Sequence, residues 1–174
     1  ATLLHLGPGL ANGLANLHNA KKAGSPIVNI IGDHATYHQH FEAPLTSDVK
    51  AFAAPVSHWI KSSPNGAAVG HDTAEAVRAA NSNGGQISSL ILPADTAWTD
   101  ADDFGIYREP ANPALPPDIA IDKAAQLLKS GKKTAILMTG KALRADGIKA
   151  ANRIAEKSGA QVFSDTFNAR TERG

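Results

Sequence analysis

Short apolar runs without polar alternation recur along this chain, and stretches of helical periodicity separate them. The clearest are residues 26–31 (Pro-Ile-Val-Asn-Ile-Ile) and 86–92 (Gln-Ile-Ser-Ser-Leu-Ile-Leu). A strand with one face in water alternates apolar and polar side chains; these runs do not, so they predict strands covered on both faces. Helices between such strands predict an α/β fold with parallel sheets flanked by helices.

The remaining elements follow the same rhythm. Residues 2–6 predict a short strand, Gly7-Pro8-Gly9 a tight turn, and residues 12–23 a helix with Leu14, Leu17 and Ala20 on one face and Gly24 as its stop. Ser47 is the expected N-cap of a helix over 48–54, which Pro55 closes. Residues 56–60 predict a strand. Residues 72–81 predict a helix with Ala76, Val77 and Ala80 facing inward and Asp72 or Thr73 near its cap. Residues 94–117 then lose all periodicity and carry Pro110, Pro113, Pro116 and Pro117, the pattern of a linker. Beyond it come a helix over 119–128, a strand over 134–138, a helix over 146–157 and a strand over 161–163. The expected organisation is a first domain over 1–98, a linker over 99–117 and the start of a second domain over 118–174. A buried strand at the first residue, and one strand–helix–strand unit at the end, lead to the expectation that this is a piece of a longer protein.

Composition excludes several functions. The net charge is +1 and the basic residues are scattered, so nothing favours nucleic acid or an anionic membrane. No apolar stretch reaches the roughly 20 residues that span a bilayer. The 174 residues contain no Cys, which removes disulfides, thiolate catalysis and Cys-ligated zinc, and fits a reducing, cytoplasmic setting.

The order of segments carries a resemblance. Leu4-His-Leu-Gly-Pro-Gly9 with Asn12, then Ser25-Pro-Ile-Val-Asn-Ile-Ile-Gly32, then Leu90-Ile-Leu-Pro-Ala-Asp95 resemble the thiamine-diphosphate-dependent enzymes, in the acetolactate synthase and benzoylformate decarboxylase branch. Past the linker, Ala135-Ile-Leu-Met-Thr-Gly140 and Ser158-Gly-Ala-Gln-Val162 resemble the start of that family's Rossmann-like central domain. The resemblance implies part of a pyrimidine-binding domain over 1–98, with Gly7, Gly9 and Asn12 near the cofactor. It also implies a 2-oxo acid as substrate, either a transferase or a lyase activity, and a homodimer or homotetramer. In the family, the glutamate that activates the aminopyrimidine lies upstream of this stretch. The Gly-Asp-Gly…Asn signature for Mg2+ and diphosphate lies beyond it. The chain alone is therefore expected to be inactive. Whether FAD binds, as in some synthases, is left open.

Candidate catalytic groups are histidines, because imidazole titrates near neutrality and can give or take a proton. His5 ends the first strand, where parallel sheets place their ligands. The decarboxylase branch carries an active-site histidine at the matching position; the bland alternative is a half-buried structural histidine. Asp33-His34-Ala-Thr-Tyr-His38-Gln39-His40 follows the second strand. Its ligand types lack the helical or finger frame of a metal site, so no metal is assigned. It is either a polar surface loop or an active-site rim, and His38, Gln39 and His40 compete for the catalytic position. Tyr37 and Phe41 are expected to pack against neighbours, and His18, His58 and His71 to be structural or superficial.

Two rival readings rest on the same residues. Strand, Gly7-x-Gly9, helix and Asp33 resemble a dinucleotide fingerprint, but Asn12 stands where its third glycine belongs and Pro8 removes a backbone donor. The other rival is a catalytically silent interaction module derived from the same family.

Overall fold

A computed structural model describes residues 1–101, 104–110 and 113–173. Residues 102–103 and 111–112 of the expected linker lie outside the described residues, as does Gly174. The chain forms two compact units, Ala1–Ala111 and Asn112–Gly174.

The first unit contains β1 (Thr2–His5), α1 (Leu6–Lys22), β2 (Ile27–Asp33), α2 (Val49–Ala53), β3 (Trp59–Ser62), α3 (Gly66–Asn81) and β4 (Ile87–Pro93). Its four strands are all parallel, in the order β1-β2-β4-β3. β4 is interior and buried along nearly its whole length, which is why its sequence shows no alternation. Ile87 and Ile91 of β4 join Ile31 of β2 beneath Leu10 and Leu17 of α1 and Val49, Ala53 and Val56 at α2. Ser88, between Ile87 and Ser89, turns the other way: its hydroxyl donates to the Ala76 carbonyl of α3 at 2.8 Å. The alanine face of α3 (Ala76, Ala79 and Ala80, all buried) permits that close approach. Each large apolar side chain so buried contributes about 1.5–3 kcal/mol.

A polar chain crosses the sheet inside this core. Thr2 Oγ1 donates to Asn29 Oδ1 at 2.7 Å, Asn29 Nδ2 donates to Ser89 Oγ at 3.0 Å, and the Ser89 and Ser57 hydroxyls meet at 2.7 Å. Asn29 and Ser89 have no solvent exposure, so these bonds offset their desolvation.

Several boundaries differ from expectation. α1 begins at Leu6, not at residue 12, so Gly7-Pro8-Gly9 is the first helical turn rather than a loop. Pro8 is harmless there because first-turn N–H groups have no intrahelical partner. The turn itself falls on Leu6, whose φ of +56° reverses the chain between strand and helix. α3 begins at Gly66, capped by Asn65 Oδ1 accepting from Ala68 N at 3.1 Å, so neither Asp72 nor Thr73 is a cap. Asp48, not Ser47, caps α2. β3 starts at Trp59, and Val56 serves the core from the preceding turn.

The second unit contains α4 (Asp118–Leu128), β5 (Ala135–Met138), α5 (Ala145–Ser158) and β6 (Gln161–Ser164). β5 and β6 pair in parallel, and Met138, Leu143 and Ala151 form a small core with Ile136 and Ile148. Gly159, with φ of +70°, ends α5 in the left-handed conformation that glycine adopts without strain.

Candidate functional site at the carboxyl ends of the strands

The register of the sheet brings the site together. His5, the last residue of β1, pairs with Gly32 of β2, and Gly32 pairs with Leu92 of β4. A cleft of about 560 Å³ opens at this end, with Leu6, Gly32, Leu92 and Ala94 as apolar walls. His5, His34 and His38 all line it, with Tyr37, Leu45 and Trp98 at its margin. Tyr37 does not pack away against a neighbour as expected; it is 62% exposed beside the cleft. Phe41 does pack, against the rings of His40 at 3.8 Å and His38 at 5.5 Å. His38 in turn lies 5.5 Å from His34.

The loop after β2 is pinned at both ends of this wall. Asp33 Oδ1 accepts from His34 N at 2.8 Å and Asp33 Oδ2 from Gln39 Nε2 at 3.2 Å. Asp95, just past β4, accepts from both the hydroxyl and the backbone N–H of Thr36. Those two bonds, the hydroxyl's first, hold the Asp95 carboxyl below its ordinary range. Asp95 thus ties the loop to the strand exit across the cleft. Asp95 lay within a matched segment of the sequence, but its latch role needs Thr36, which is 59 residues away.

The structure separates the three competing residues on the loop. His38 shares the cleft with His5. Gln39 lines a neighbouring polar cleft instead, and His40 lines neither. Gly7, Gly9 and Asn12 lie on α1 and line neither cleft. A Cβ on Gly7 would stand 2.2 Å from Ser47 Oγ, so this glycine admits the loop that leads into α2. Asn12 is exposed. His58 and His71 have structural partners: His58 Nδ1 accepts from Ile87 N at 3.3 Å, and His71 Nδ1 lies 3.3 Å from Asp72 Oδ1.

The dinucleotide reading does not survive this geometry. Asp33 ends β2, two residues past the apolar run 26–31. Yet both its carboxylate oxygens are already engaged, and the two glycines are helical rather than a phosphate-cradling loop.

Apolar walls with a few placed imidazoles suit a flat heteroaromatic ring. The described residues place no three His, Asp or Glu side chains where they could hold a metal ion. The apolar walls and imidazoles of the cleft fit the pyrimidine ring that the resemblance implies.

Comparison with known proteins agrees with this class. Residues 1–58 match the profile of the thiamine pyrophosphate enzyme N-terminal TPP-binding domain. Residues 1–58 thus carry an N-terminal domain of the thiamine-diphosphate-dependent enzymes, as the segment order implied. Over all 174 residues the chain is 47% identical to a Mycobacterium tuberculosis protein provisionally named acetolactate synthase large subunit IlvX. Two solved structures share the fold. One is a Mycobacterium smegmatis protein provisionally described as thiamin diphosphate-dependent (TM-score 0.84, 20% identity, 97% of this chain and 33% of that one). The other is benzoylformate decarboxylase from Polynucleobacter necessarius (TM-score 0.80, 21% identity, 97% of this chain and 32% of that one). The chain spans about a third of the length of these relatives (33%, 33% and 32%).

Proposed function

We propose that this chain supplies the pyrimidine-side wall of the active site in a thiamine-diphosphate-dependent enzyme acting on a 2-oxo acid. The observation that carries the reading is that His5 and His38, from separate elements, meet at one cleft on the carboxyl side of a parallel sheet. When bound, the cofactor supplies an electron sink for the carbanion left as a 2-oxo acid loses carbon dioxide.

The chain's own residues then have two tasks. His5 and His38 hold and move protons at their ring nitrogens on the substrate side of the cleft, and His34, backed by Asp33, orients the loop that carries His38. The walls at Leu6, Gly32, Leu92 and Ala94 would exclude water from a ring bound there. In the proposal, Gly7, Gly9 and Asn12 shape the start of α1 near the cofactor, and Gln39 steadies the loop through Asp33 rather than acting directly. Mg2+ would be held with the diphosphate by parts of the enzyme other than these residues. A homodimer or homotetramer in the cytoplasm completes the reading. FAD is not assigned, because no residue described here selects it. Both a carboligating synthase and a decarboxylase fit these residues.

Calorimetric titration with thiamine diphosphate and Mg2+ tests the proposal. The full-length enzyme is expected to bind saturably, and residues 1–174 alone to give no binding heat. Absence of binding by the full-length enzyme would contradict the reading, and micromolar binding by residues 1–174 would contradict the assignment of the diphosphate end elsewhere.

A further inference from the structure

The sequence holds three Asn-Gly pairs, Asn12-Gly13, Asn65-Gly66 and Asn83-Gly84. Asparagine is among the thermolabile residues. In such a pair the glycine's backbone nitrogen can attack the asparagine side-chain carbonyl, because no following side chain obstructs it. The attack needs a free N–H and a backbone that can turn, and the fold treats the three pairs very differently. Gly13 lies inside α1, where interior N–H groups bond the carbonyl four residues back. Gly66 is buried at the start of α3, and its N–H donates to Thr99 Oγ1 at 3.2 Å. The Asn65 side chain is engaged as well, since its Oδ1 accepts from Ala68 N at 3.1 Å. Asn83 and Gly84 instead lie exposed in the turn between α3 and β4. Gly84 N has no hydrogen-bond partner among the described residues. A Cβ placed on Gly84 would meet nothing within 4 Å. Asn83, Gly84 and Gly85 have φ of +51°, +86° and +119°, and two successive glycines leave this backbone room to rotate. The Asn83 side chain is tied through Nδ2, which donates to Gln86 Oε1 at 3.3 Å, and its Cγ stays open to attack.

We infer that Asn83 is a site of spontaneous covalent modification, deamidating through a cyclic imide formed with Gly84. The Gly84 nitrogen bonds to Asn83 Cγ, the Cγ–Nδ2 bond breaks, and the Gly84 amide proton leaves with Nδ2 as ammonia. Water then opens the ring. Cleavage of the new bond leaves aspartate. Cleavage of the original peptide bond leaves isoaspartate, with the main chain rerouted through Cβ and Cγ. A water is consumed, an ammonia is released, and nothing is oxidised or reduced. Either product puts a carboxylate where a neutral amide stood. Isoaspartate also lengthens the main chain of the turn that presents Gln86 O to Ile27 N at 3.1 Å, at the end of the sheet opposite the cleft. The inference stands apart from cofactor binding, since no residue of it relies on thiamine diphosphate.

Peptide mapping by mass spectrometry, with fragmentation that separates aspartate from isoaspartate, tests this. The full-length enzyme is incubated in mildly alkaline buffer, folded and, in parallel, unfolded in urea. In the folded enzyme Asn83 is expected to react at least about tenfold faster than Asn12 or Asn65, whose reaction waits on local opening. In urea the three rates are expected to converge. Asn83→Gly, which suits the left-handed φ, is expected to remove the modification from this turn and leave the rates at Asn12 and Asn65 unchanged. Equal rates at the three sites in the folded enzyme would overturn the inference. An Asn83 rate that rises about tenfold or more on unfolding would overturn it too, since the turn would then protect the residue. A negative thiamine diphosphate titration leaves this test unaffected, so the two readings fail separately.

Discussion

Asp72 shows how one buried side chain can set a local pH limit. Its carboxylate is 1% exposed on α3, where Lys61 Nζ approaches at 2.6 Å and Ser63 Oγ donates at 2.9 Å. Burial pushes this carboxyl up, but the bonds from Lys61, Ser63 and His71, with the Lys61 charge, outweigh it and hold it below the ordinary range. A carboxyl depressed in the folded state adds stability above its unfolded pKa of about 4 and loses it as pH falls through the lower folded value. Asp72→Asn is expected to cost about 1.5–3 kcal/mol at pH 7, by loss of charge-assisted bonds. In urea titrations the gap from the unmodified protein should close as pH drops below about 4; a gap that is constant with pH would count against the ion pair. Gly7 illustrates a steric limit instead. Gly7→Ala sets a methyl 2.2 Å from Ser47 Oγ, and an overpacking cost of about 1–3 kcal/mol is expected in the same titrations. An unchanged midpoint would mean the Ser47 loop yields freely.

At the scale of elements, the loop between β2 and α2 decides whether the site holds its shape. It has no regular ladder, and its fixed points are Asp33 at one end and the Asp95–Thr36 latch across the cleft. Asp95→Ala is expected to raise amide hydrogen exchange from residue 34 to 46 while β2 and β4 stay protected. Uniform protection across the loop would show the latch to be dispensable. The strands were legible in the sequence because a fully covered strand leaves an unbroken apolar run, as in β4. Helix starts were less legible. α1 and α3 each begin six residues before the helices expected from apolar periodicity; for α1 this is because Gly7-Pro8-Gly9 reads as a turn although first-turn positions tolerate it. Asn65, a good N-cap by type, was the available signal for α3.

For the molecule as a whole, the family resemblance was legible because an ordered set of segments says more than any one of them. The site was only partly legible. The place of His5 at the end of β1 followed from strand direction alone, whereas the placement of His38 in the same cleft, with Gln39 and His40 outside it, needed the loop's path, to which Asp33 and Asp95 hold it. The central claim is that His5 and His38 serve one cleft and act on the same reaction. A double-mutant cycle of kcat/KM across pH, with His5→Ala, His38→Ala and both together in the full-length enzyme, tests it most directly. Each single variant is expected to lose about 10²–10⁴-fold and to alter the pH profile, and the double variant to lose markedly less than the product of the two. Strictly multiplicative losses, or single variants with unchanged rates at every pH, would contradict the claim.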